Sequence, residues 1–197
     1  AGAYEVANSC RFNDDDSAAM TFTMSSGGSQ TIFTKSFWIK RARLGATQYT
    51  FDNSGETDIL IVFNSSDQLN FNIYASGAYS LDLKTNQLFR DVSAWYHIVL
   101  AVDYTNGTQA HRARVYVNGT EITSWDTEVR PGNNSTTFDT YNSDKTHYIG
   151  SNASSGNFFD GYLAEVVHID GTQYAASDFG EFDEDSPTIW KPKDVSG

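Results

Sequence analysis

The apolar residues of this chain fall in short runs, broken by glycine, asparagine, aspartate and serine. The clearest series is residues 95–122, WYHIVLAVDYTNGTQAHRARVYVNGTEI. Residues 95–102 are apolar at almost every position and rich in β-branched and aromatic side chains, which predicts a strand buried on both faces. Residues 103–109 supply a polar turn. Residues 111–117 then alternate, with Ala113, Val115 and Val117 on one face and Arg112, Arg114 and Tyr116 on the other. That second row is the expected exposed contact row of the hairpin. Asn118-Gly119 follows, the pair favoured by a type I′ turn because both central residues need positive φ. Residues 120–122 begin the return strand, so three strands in meander order form the expected centre of the fold.

The same reading predicts strands over 5–12, 18–24, 31–41, 49–52, 59–64, 69–74 and 78–83 before this centre, and over 147–150 and 158–170 after it. In 31–41, Phe33, Phe37 and Ile39 share one face and Trp38 takes the other; Trp38 and Trp95 both lie in apolar runs and are expected in the core. Turn signals recur about every 8 to 12 residues, the rhythm of sandwiches and jelly rolls. Residues 123–145 form the longest polar stretch and are expected to be a functional loop. Residues 175–179 fit one helical turn, and Trp190 is expected to anchor an extended tail. No repeat or linker divides the chain. The expected organisation is one domain over 1–180 and an acidic tail over 181–197 that packs on the domain or on a partner.

Composition agrees with all-β. Aromatics make up 14% of 197 residues, and Thr, Ser, Asn and Asp outnumber the helix formers. The net charge of −12 excludes the basic surface that nucleic acid or an anionic membrane requires, and no segment is apolar for long enough to insert in a bilayer. The single cysteine, Cys10, rules out an intrachain disulfide and favours a bacterial, viral or intracellular origin.

Four pieces in order, Phe37-Trp-Ile-Lys40, Trp95-Tyr-His-Ile-Val99, Val115-Tyr-Val-Asn-Gly119 and Phe159-Asp-Gly-Tyr-Leu-Ala-Glu-Val166, resemble the laminin-G-like and pentraxin-like branch of the concanavalin A-type lectin and glucanase superfamily. The resemblance implies an antiparallel two-sheet jelly-roll β-sandwich. Residues 159–171, then Phe179-Gly-Glu-Phe-Asp-Glu-Asp185 and Ile189-Trp-Lys-Pro192, are similar to tails of structural proteins of marine tailed bacteriophages. That similarity implies a virion surface location, as capsid decoration or tail fibre, with other virion proteins as partners and a homo-oligomer, a trimer in the first instance.

Glucanases of the superfamily align Glu, Asp and Glu at alternate positions of one strand, and Glu181, Asp183 and Asp185 invite comparison. The last member here is aspartate, and the segment lies between Gly180 and Pro187 near the chain's end, so a β-glucan hydrolase is the alternative to a non-catalytic module. Asp14, Asp15 and Asp16 resemble a calcium turn, but calcium needs six to eight oxygens, so further ligands from Asp52, Asp58 or the Asp160 region would be required. For a glycan, such as one on a cell surface, the expected site is Trp125 with Asp126, Asn133, Asn134 and Tyr141. An aromatic face stacks on the C–H face of a sugar while Asp and Asn hydrogen-bond its hydroxyls.

Overall fold

A computed structural model describes residues 4–29, 31–53, 58–75, 78–132, 144–154 and 156–195. Its strands are β1 (Cys10–Phe12), β2 (Met20–Thr23), β3 (Ile32–Arg41), β4 (Gln48–Asn53), β5 (Asp58–Phe63), β6 (Gln68–Ala75), β7 (Ala78–Leu88) and β8 (Tyr96–Asp103). They continue with β9 (Ala113–Val117), β10 (Thr120–Glu121), β11 (Trp125–Val129), β12 (Thr146–Ile149), β13 (Gly161–Asp170), β14 (Gly180–Phe182) and β15 (Trp190–Pro192). One sheet has the order β1-β13-β3-β8-β9-β10 and the second β11-β7-β6-β5-β4-β12-β2, while β14 and β15 form a small hairpin. The fold is the all-β, two-sheet antiparallel jelly roll expected from the sequence.

The meander is as the turn chemistry demanded. Asn118 and Gly119 both have positive φ, 48° and 80°, and Val117 pairs with Thr120 across them. Ala113, Val115 and Val117 enter the core between the sheets, together with Ile98, Leu100 and Val102 of β8 and Phe71, Leu81 and Leu83 from the opposite sheet.

β8 is buried on both faces, as predicted, and the cause lies far along the chain. The outer face of its sheet carries a second apolar cluster of Val99, Ala101, Tyr116, Ala176 and Phe179, with Val167, Ile169 and Trp190 packed against it. Residues 175–192 thus form a strap across the sheet, with a 3-10 turn at Ala176–Asp178 in place of the expected helical turn. The strap corrects the reading of Arg112, Arg114 and Tyr116 as an exposed row. Tyr116 is buried under it. Arg112 is buried too, donating to the carbonyls of Asn106 (2.8 Å) and Pro131 (2.9 Å). Arg114 grips Glu121 through two hydrogen bonds of 3.0 and 2.5 Å.

Three further differences matter. Only Cys10–Phe12 of the predicted first strand is paired; residues 4–9 run free of the sheet. β7 continues five residues beyond the predicted end, and its polar half pairs with β11, which occupies the start of what was expected to be a loop. Inside the sandwich, β3 turns Lys35 and Arg41 inward beside Phe33, Phe37 and Ile39. The Lys35 ammonium lies 4.1 Å from the Phe51 ring centre and the Arg41 guanidinium 4.5 Å from that of Phe63. Arg41 is balanced by Asp67 at 3.1 Å.

Candidate functional site

On the outer face of the six-stranded sheet, β3 presents Trp38 opposite Ala164 of β13 and His97 of β8. The strap ends there. Trp190 lies beside His97, its Nε1–H donating to His97 Nδ1 at 2.9 Å, and His97 Nε2 lies 2.8 Å from Ser36 Oγ. Because Nδ1 accepts, the ring is neutral and donates from Nε2 to Ser36. His97 therefore stacks on Trp38, ring centres 4.9 Å apart and planes within 24° of parallel, while Trp190 meets it edge to edge, 6.0 Å between centres and within 20° of coplanar. Burial pushes its pKa down to about 4, so it keeps its acceptor nitrogen. Gly119 and Gly180 form the seat of Trp190, since a Cβ at either would overlap the indole.

Beyond this stack the outer face opens into a groove of about 540 Å³. Trp38 and Trp95 are its aromatic lining, Ala164 and Pro192 adjoin them, and residues 4–9 form the facing wall. Trp95, half-buried, stands 6.4 Å from the ring of Tyr162. Tyr4 fixes the wall by donating to Glu165 Oε2 at 3.0 Å. Glu165 reaches it from a β-bulge between Ala164 and Val167, where it takes a φ of 48°. An apolar, aromatic surface faced by Glu5, Asn8 and Ser9 can stack on a sugar ring and hydrogen-bond its hydroxyls.

Sequence reasoning placed both tryptophans in the core. Trp38 is buried, but on the outer face, and Trp95 is a groove residue. The opposite parity of Trp38 to Phe37 and Ile39 was the available signal.

The predicted glycan site is only partly described. Trp125 packs on the edge of the inter-sheet core with the Arg130 guanidinium 5.8 Å from its ring centre, and its Nε1 is buried with no partner among the described residues. Asp126, 43% exposed, pairs with Lys84 at 2.5 Å, and that hydrogen bond holds its carboxyl below the usual range. Asn133, Asn134 and Tyr141 lie outside the described residues.

The residues of the predicted calcium turn do not fit a cation. Asp14 pairs with Arg43, and Asp16 accepts from Asn13 Nδ2 at 2.5 Å. Of the further ligands it would need, Asp52 is engaged with the backbone amides of Asn53 and Ala153 and Asp160 with Arg11, while the Asp58 side chain lies outside what the structure describes. Among the described residues no three His, Cys, Asp or Glu side chains gather to hold a metal. In the acidic tail segment, Lys191 bridges Glu181 (3.6 Å) and Asp183 (3.3 Å), and Asp183 Oδ1 caps the amides of Asp185 and Ser186.

These two sheets, their order and the motifs on β3, β8, β9 and β13 define a lectin-type jelly roll. Residues 13–175 match a laminin G family profile described as the concanavalin A-like lectin/glucanases superfamily, and the chain belongs to that superfamily. Domains LG4-5 of the mouse laminin alpha1 chain share the fold with a TM-score of 0.62 at 12% identity, over 88% of this chain and 44% of that one. Domain 4 of AbnA, a GH43 extracellular arabinanase from Geobacillus stearothermophilus solved with arabinotriose, does so with a TM-score of 0.53 at 20% identity. The overlap there is 77% of this chain and 64% of that one. Among curated proteins, none matches the sequence.

Proposed function

We propose that this chain is a non-catalytic carbohydrate-binding module that holds a glycan against Trp38 and Trp95. The observation that carries the reading is the groove, in which Trp38 of β3 and Trp95, just ahead of β8, line an apolar surface that also carries Glu5, Asn8 and Ser9. The lectin-type scaffold supports it, as does the engagement of Glu181 and Asp183 in hairpin structure, where they serve Lys191 and not a substrate. The test is binding on a glycan array followed by titration calorimetry. Trp95→Ala is expected to weaken binding about five- to thirtyfold, since stacking and burial of one aromatic contribute roughly 1–2 kcal/mol. Trp125→Ala is the control that separates the groove from the predicted loop site. Loss of binding in Trp125→Ala with Trp95→Ala unaffected would move the site to residues 125–141 and overturn the groove.

The setting in which the module works belongs to the same proposal. We further propose, from the sequence of the tail alone, display on a virion surface, with other virion proteins as neighbours and a trimer as the assembly. Sedimentation at micromolar concentration is expected to give three times the 21.8 kDa chain mass; a monomer there removes the trimer.

A further inference from the structure

Trp95 belongs to more than the groove. Tyr96 pairs with Ile39, both inside the sandwich, so Trp95 faces outward level with Lys40, the next residue of β3. Lys40 pairs in turn with Tyr162 of β13, and Tyr162 with Arg11 of β1. Trp95, Lys40, Tyr162 and Arg11 therefore make one row across the outer face, about 14 Å long at the usual spacing of strands. The row runs beside the one that holds Trp38 and Ala164, so groove and row meet at Trp95. Its members are accessible. Trp95, Lys40 and Tyr162 are half-buried, and Lys40 enters none of the ion pairs among the described residues. Asp91 is held below the usual carboxylate range chiefly by the hydroxyl and amide of Ser93, at 2.6 and 2.8 Å, and only then by Lys40. Tyr162 is propped on both sides, with 6.4 Å between its ring centre and that of Trp95 and the Arg11 guanidinium 5.2 Å away. Arg11 is itself fixed by Asp160 at 2.7 Å. Side chains held in this way lose little freedom when a ligand settles on them.

Two aromatic side chains with an ammonium between them suit a run of linked sugars, whose C–H faces pack on the rings while Lys40 donates to hydroxyl oxygens. We infer that the binding site continues from the groove along this row, and that its ligand is a segment of several linked sugars, not a single terminal unit. The inference rests on the carbohydrate-binding reading and deepens it. Tyr162 and Lys40 are the added contacts, and Trp95 joins them to the groove. A cross-strand row of this kind also steadies a sheet, and the dependence of binding on chain length separates the two roles.

Calorimetry on the whole chain with gluco-, galacto-, manno- and arabino-oligosaccharides, each from disaccharide to hexasaccharide, tests this. In a series that binds, the tetrasaccharide is expected to bind about three- to tenfold more tightly than the disaccharide, the gain of one further aromatic contact. In Tyr162→Ala that ratio is expected to fall toward one, and in Lys40→Met to fall part of the way. A ratio near one in the unaltered protein, with binding still weakened in Trp95→Ala, confines the ligand to the groove; it overturns this inference and leaves the carbohydrate reading standing. A ratio undiminished in Tyr162→Ala overturns it as well. So does an equal loss at every length in that variant, which would make Tyr162 a prop for Trp95 and not a contact. Absence of Trp95-dependent binding in all of the series overturns the carbohydrate reading, and the inference with it.

Discussion

Gly119→Ala is expected to destabilise the protein by about 3 kcal/mol and to lift the strap from the sheet. Two effects act at one atom. Gly119 has a φ of +80°, a conformation that costs an L side chain roughly 1–2 kcal/mol. The new Cβ would also occupy the space of the Trp190 ring, so the indole must leave its seat beside His97. Urea unfolding reads the first effect. Limited proteolysis reads the second, with new cleavage between residues 180 and 192 under native conditions. A third readout belongs to this mechanism alone. His97 loses its cover and its Nδ1 partner, so its NMR titration is expected to rise from about 4 toward the ordinary 6.5. A variant that loses stability with His97 still titrating near 4 would show that Trp190 stays seated, and that the cost lies in the turn.

Lys35→Met is expected to stabilise the fold, and to do so in a pH-dependent way. Burial lowers the Lys35 ammonium to about 7 from the 10.5 of an exposed lysine. The folded value lies below the unfolded one. Between pH 7 and 10.5 the unfolded chain therefore holds a proton that the folded chain has released, and stability rises with pH across that window. Below pH 7 both states are protonated and the full penalty applies. At roughly 1.4 kcal/mol for each unit of displacement, the penalty near neutrality is on the order of 4 kcal/mol. Methionine keeps the unbranched length against Phe51 and removes the charge. Denaturant midpoints measured from pH 6 to pH 10 should climb in the parent protein and stay level in the variant. A parent curve that is flat over this range would mean that Lys35 is not desolvated as its position implies.

What the sequence reveals divides along a physical line. Local chemistry is legible. Asn118-Gly119 dictates its turn, and the alternation from Ala113 to Val117 dictates its buried face. Lys35 and Arg41 were legible as well, because they share the parity of Phe33, Phe37 and Ile39; a pattern read through its apolar members alone passes over them. The strap is of another kind. Tyr116 and Val99 are covered by Ala176 and Phe179, some sixty to eighty positions away, and no local periodicity records a long-range cover. β11 escaped for a similar reason. WDTEV has little apolar alternation of its own, and becomes a strand by pairing with the polar half of β7. The groove combines both limits. The outward parity of Trp38 is local, but its facing wall comes from residues 4–9 and its end from Pro192.

The groove is therefore closed by segments that flank the sandwich in sequence, residues 4–9 ahead of it and Pro192 after it. The sandwich core is complete in sequence once β13 has been made, but Trp190 and Pro192 arrive some twenty residues later, and residues 4–9 have no ladder to hold them until Tyr4 finds Glu165. Contacts across such separations form late, because the loop entropy must be met before they are gained. The protein thus has the order of a finished object: scaffold first, face last. A chain caught before its last turn of assembly would have a core and no groove.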